Sequence, residues 1–157
     1  MTDMLLELLK LASVGVVAGV FSSALANRDH RQRKWWELRV TAYQGVIEAL
    51  SDLIYYYDKH YNAAIEYRDL SEDSEKMLSA YWEQSFPSVR KAADSGAFLF
   101  SDKANSALKD FMQDEKTEWY IEHLDITLFK AKKCLSTVIE CSKKDLKLKP
   151  SWLERLL

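Results

Sequence analysis

Glycine and proline are scarce, at 4 and 2 of 157 residues. A turn-rich all-β fold is therefore excluded, because its many tight turns call on these residues. Cysteine is equally sparse. Cys134 and Cys141 lie seven residues apart in a helical pattern, about 10 Å along the axis, which is beyond disulfide reach within one helix. Packed thiols in a reducing compartment are the simple reading, and a reactive or metal-binding pair is the sharper one. The three histidines, His30, His60 and His123, stand alone. No HExxH pair occurs, and Tyr57 and Tyr120 occupy the positions where a di-iron Glu-x-x-His motif would need glutamate. A glycine-rich phosphate loop, a nucleophile elbow and a CxxC pair are also missing. The sequence thus predicts no catalytic, cofactor or metal-ligating residues and a protein that is not an enzyme.

What the chain does contain is a long apolar run. Residues 4–26, MLLELLKLASVGVVAGVFSSALA, would span roughly 34 Å as a helix, enough to cross a hydrocarbon core. Glu7 and Lys10 fall in its outer turns, where they can pair or reach toward head groups. Arg28, Arg31, Arg33 and Lys34 follow at once, whereas Lys10 is the one basic side chain before the run. This asymmetry predicts a single transmembrane helix with its N-terminus outside and the remainder cytoplasmic. A cleaved signal peptide is a rival, since Ala24-Leu25-Ala26 has the small-x-small pattern. The acidic Asp3 and Glu7 and the basic segment after Ala26 argue against export. A third reading makes the run an oligomerisation helix of a soluble protein. Gly15, Gly19 and Ser23 recur every four residues, a spacing that lets another membrane helix approach closely.

Charge is unevenly distributed behind a net of −2. Residues 58–126 carry 8 basic and 15 acidic side chains, and residues 127–157 carry 8 basic and 3 acidic. The basic Lys143, Lys144, Lys147 and Lys149 precede Trp152, Leu153, Leu156 and Leu157. Nucleic-acid binding would call for a generally basic domain, so anionic lipid head groups are the expected partner of this tail, as of the Arg28–Lys34 cluster.

Helical periodicity dominates the rest. Trp36, Val40, Tyr43, Ile47, Leu50, Ile54, Tyr57, Tyr61 and Ala64 alternate by four and three, predicting a long helix over 31–68 with a coiled-coil-like seam. Ser71 with Glu72, Asp73 and Glu75 predicts a capped helix start. Pro87 is expected to kink or split that helix, and Gly96 to end it. Ser101 should cap a short helix, and Leu124, Leu128, Leu135 and Val138 mark the seam of a last helix over 116–146. The predicted organisation is a transmembrane helix over 1–27, an antiparallel all-α bundle over 28–149 and an amphipathic tail over 150–157. Tyr55, Tyr56, Tyr57, Tyr61, Tyr67, Tyr81 and Trp82 read as core with wet hydroxyl edges, or as a ligand or peptide groove.

The segments WWELRVTAYQGVIEAL and AADSGAFLFSDKANSALKDF resemble a group of small bacterial proteins with one N-terminal span and a cytoplasmic helical domain. Trp36, Glu37, Arg39, Ala42, Tyr43, Ile47 and Glu48 match one pattern of that group, and Gly96, Phe98 and Ser101 the other. The resemblance implies a bacterial inner-membrane location and a packing role for these residues, and it brings no activity. The expected function is a membrane-anchored module that recruits or scaffolds a protein partner. The alternative is a small membrane-perturbing effector, of toxin or phage-defence type, that self-associates through its transmembrane helix.

Overall fold

The computed structural model describes the backbone of residues 2–113 and 117–146 and, from residue 30 onward, their side chains except that of Ala97. All regular structure among these residues is helical: α1 over Thr2–Ile65, α2 over Glu72–Ser95, a 3-10 turn over Gly96–Phe98, α3 over Asp102–Met112 and α4 over Tyr120–Asp145. The chain divides into two units, Met1–Glu37 and Leu38–Leu157.

In the first unit the backbone is helical through the expected boundary near residue 27. The side chains of 4–26, with Gly15, Gly19, Ser23 and Arg28, lie outside the described residues. Among those described, no helix is long and apolar enough to cross a membrane. Arg31, Arg33 and Lys34 are exposed. Trp36, expected in the seam, is 48% exposed and so is not a core residue.

The second unit is an antiparallel four-helix bundle. The Ser85 hydroxyl donates to Asp52 at 3.0 Å, and the rings of Tyr55 and Tyr81 meet edge to face at 5.8 Å, so α2 runs back along α1. Arg39 pairs with Asp145 at 2.9 Å and Lys132 with Asp58 at 3.8 Å, so α4 runs antiparallel to α1 as well. The short α3 packs against both α2 and α4, whose backbones do not approach each other. With 11 residues, α3 is about 16 Å long, whereas the 24 and 26 residues of α2 and α4 span about 36 and 39 Å. It therefore lies between them over less than half their length.

This arrangement rotates the core of α1 away from the expected seam. Tyr43, Val46, Leu50, Leu53 and Tyr57 are buried, with Leu50 and Leu53 fully so, whereas Val40, Ile47 and Ile54 are half-buried. A helix that touches two neighbours needs a wider apolar stripe than a two-stranded seam, and the expected positions form one flank of that stripe. In α4, Leu124, Leu128 and Val138 are buried, Leu135 is half-buried, and Cys134 and Cys141 belong to the core.

Local chemistry sets the helix ends. The Ser71 hydroxyl accepts from the Ser74 amide at 3.3 Å, satisfying a donor that the first turn leaves unpaired. Pro87 does not split α2, which is one helix from Glu72 to Ser95. Glu83 and Pro87 are both exposed, so water can serve the carbonyl that proline leaves without its amide. α1 closes with Tyr67 at φ 50°, Arg68 donating to the Ala63 carbonyl at 3.1 Å. Glycine usually fills that left-handed position.

The fully buried Leu53 and the half-buried Ile47 should respond differently to charge. Leu53→Asp should abolish the cooperative helical melt, because an unpaired buried carboxylate costs several kcal/mol against a total of about 5–15. Ile47→Asp should shift the midpoint and leave the transition cooperative. Equal effects in a circular-dichroism melt would contradict this placement of the core.

Candidate functional site

Two features of the bundle have the polar and aromatic chemistry from which a site could be built. At the end where the 3-10 turn joins α3, the Asp145 carboxylate collects three donors. Arg39 pairs with it at 2.9 Å, the Tyr43 hydroxyl donates to it, and the Ser101 amide donates at 3.1 Å. Arg39 also donates to the Leu99 carbonyl at 2.9 Å, and the Tyr43 ring packs edge to face on Phe100 at 4.9 Å. A methyl group on Gly96 would fall within 2.7 Å of the Phe100 ring, so glycine is needed for close approach rather than for a left-handed cap. Its φ of −74° confirms that. Ser101 precedes α3, yet its hydroxyl makes no capping bond and is buried without a partner, as is Asn105 Oδ1.

This cluster holds structure together and offers no reactive group. Burial pushes the Tyr43 phenol up, and its hydrogen bond to Asp145 pushes it further, so it stays protonated as a donor. All three donors meet the carboxylate at Oδ2. Asp145 was not singled out by sequence pattern, although a signal exists. A carboxylate in the last turn of a helix opposes the helix dipole and calls for a cation nearby.

The cysteines are equally quiet. Both are buried and unbridged. Burial, with the nearby Asp110 charge, pushes the Cys134 thiol up to about 12, so thiolate chemistry is suppressed there. Among the described residues no group of three histidine, cysteine or carboxylate side chains could hold a metal ion. Lys143 and Lys144 are exposed, and Lys144 and Lys103 both bond Glu140, which holds that carboxyl down at about 2. Lys147, Lys149 and residues 150–157 lie outside the described residues.

The opposite end of the bundle differs in kind. There the C-terminus of α1 and the N-termini of α2 and α4 converge: burial raises the Tyr56 and Tyr120 phenols, and Tyr120 and the Glu75 carboxylate raise Tyr56 further. Tyr67 is 92% exposed, Trp119 72% and Tyr120 62%. Around them stand exposed carboxylates. Glu66 and Glu72 pair with Arg68 and Lys76, whereas Asp69, Asp73, Glu75, Glu118 and Glu122 form no ion pair among the described residues. Beyond the end of α3 a cavity of about 290 Å³ opens, lined by Tyr57, Trp82, Phe86, Met112 and His123 among others. Trp82 and Phe86 stack at 4.9 Å on its wall. The tyrosine-rich region thus divides, with Tyr57 in the core and Tyr67 and Tyr120 facing solvent.

The chain matches no protein-family model, and neither a curated protein nor a solved structure resembles it.

Asp145→Ala leaves Arg39, Tyr43 and the Ser101 amide without their acceptor and should cost about 2–4 kcal/mol in urea unfolding. Tyr43→Phe should cost about 1 kcal/mol. A smaller loss for Asp145→Ala than for Tyr43→Phe would show that the carboxylate is not the hub. Iodoacetamide at pH 8 should leave Cys134 unlabelled in the native protein and label it in denaturant. Rapid native labelling, read by mass spectrometry, would contradict the raised thiol.

Proposed function

We propose that this chain is a non-enzymatic helical adaptor whose acidic, aromatic end takes a basic, partly apolar segment of a partner protein. The observation that carries this reading is the exposure of Tyr67, Trp119 and Tyr120 amid carboxylates that form no ion pair among the described residues. Tryptophan and tyrosine are the residues most enriched where protein surfaces bind each other, because they contribute large rigid area at low entropic cost. Unpaired carboxylates around them select cationic partners and speed encounter. An arginine or lysine over the Trp119 or Tyr120 ring would gain a cation–π contact as well. Tyr67 adds a second indication, since a non-glycine residue in the left-handed region costs about 1 kcal/mol that its exposed ring does not return in folding.

In this reading residues 4–26 tether the adaptor to a bacterial inner membrane as a single-pass helix. The support is the sequence: 23 largely apolar residues with basic charge concentrated on one flank. The exposed Arg31, Arg33 and Lys34, and separately Lys143 and Lys144, are suited to anionic head groups at about 1 kcal/mol each.

Two measurements test these claims apart. The full-length chain should stay with membranes through carbonate extraction, and recovery entirely in the soluble fraction without detergent would end the tether. The purified chain should bind an amphipathic arginine-rich peptide with strong salt dependence. Trp119→Ala should weaken that binding roughly tenfold or more, and Asp69→Lys with Asp73→Lys should weaken it further. Unchanged affinity in both variants would remove the acidic end as the docking surface.

A further inference from the structure

A second cavity lies on the side of the bundle formed by α3 and α4, and its chemistry is opposite in sign. It holds about 830 Å³ and follows the two helices from Lys103 and Thr137 at one end to Gln113 and Ile126 at the other. The ten-residue separation of Lys103 and Gln113 on α3 makes it about 15 Å long.

Its lining changes along that length. One end is polar: Lys103, Ser106, Lys133 and Thr137. The other holds the apolar Ala107, Phe111, Ile126 and Phe129, with Asp110, Gln113 and Lys130 among them. Phe129 is 67% exposed, a large apolar side chain left open to solvent on the rim of the groove. The charges along the wall are three lysines against the single carboxylate of Asp110. Lys103 pairs with Glu140 at 3.0 Å and Lys130 donates to the Gln113 carbonyl at 2.7 Å. The Lys133 side chain is exposed, and its ammonium has no ion pair or hydrogen bond among the described residues.

We propose that this groove binds a medium-chain fatty acid, the carboxylate beside Lys133 and Lys103 and the alkyl chain along Phe111, Ile126 and Phe129. Charge complementarity selects the head: a cationic amphiphile with the same tail would face Lys133 and Lys103 and be rejected. Burial keeps the Cys134 thiol at the base of the groove neutral, so the floor stays apolar at physiological pH. Asp110 opposes a carboxylate placed at mid-groove, which favours seating the head at the Lys103 end. The groove shares Phe111, Gln113, Ile126 and Lys130 with the smaller cavity beyond α3, but the fatty-acid proposal does not rest on the exposed Tyr67, Trp119 and Tyr120.

The test uses the purified full-length chain and a photoactivatable fatty acid carrying a diazirine in its alkyl chain. After irradiation, mass spectrometry should place the label on peptides from 103–113 and 126–137. A trimethylammonium amphiphile with the same diazirine tail should label these peptides at least tenfold less. Lys133→Glu, at an exposed position where folding is not at stake, should reduce labelling roughly tenfold. Ala107→Trp, which fills the apolar end, should abolish it while retaining the helical melt. Equal labelling by the two amphiphiles, full labelling of Lys133→Glu, or label confined to other peptides would each overturn the proposal.

Discussion

The Asp145 carboxylate is the interaction on which the bundle's arrangement depends. It lies in the last turn of α4, at the negative end of a helix dipole, where a bare carboxylate is unfavourable. Arg39 of α1 neutralises it, the Tyr43 hydroxyl orients it, and the Ser101 amide ties it to the start of α3. Each partner alone would contribute little at a partly exposed site. Together they fix the register of α1 against α4 and the turn that brings α2 into α3. Gly96 completes the joint by letting the Phe100 ring approach its backbone. The densest polar cluster among the described residues is thus at one end of the bundle.

The other end follows from a length mismatch. Because α3 stops at Met112, the halves of α2 and α4 beyond it have no helix between them. Apolar side chains that a fourth long helix would cover are left lining a cavity, Trp82 and Phe86 among them. The helix ends around it carry carboxylates. Three sit in the first turn of α2, where the dipole favours them, and so they cost little in stability. A bundle clamped at one end and open at the other can present aromatic surface without losing its fold.

Much of this was legible in the sequence, in proportion to how local the signal was. The helix starting after Ser71, the short α3 and the long α4 follow from caps and periodicity. Tyr43, Leu50 and Tyr57 belong both to the expected seam and to the buried stripe. Leu53 and Val46 were missed because a strict four-three alternation describes one neighbouring helix, and α1 has two. Pro87 does not split α2, because its cost depends on whether the orphaned carbonyl faces water, which spacing alone does not say. Arg39, Gly96 and Ser101 were visible as a recurrent pattern. Their convergence on Asp145, more than a hundred residues from Arg39, is a tertiary fact. The exposed Trp119 and Tyr120 fell outside every periodic position, and that irregularity was the available sign that they face outward.

Hydrogen–deuterium exchange of the full chain, with and without a saturating arginine-rich amphipathic peptide, tests the central claim most directly. The account predicts added protection at residues 65–76 and 118–123 and little change around Gly96 to Ser101, where the Asp145 cluster already orders the backbone. Protection confined to α3 and the second half of α4, or none at all under conditions where the peptide binds, would contradict an acidic, aromatic docking end.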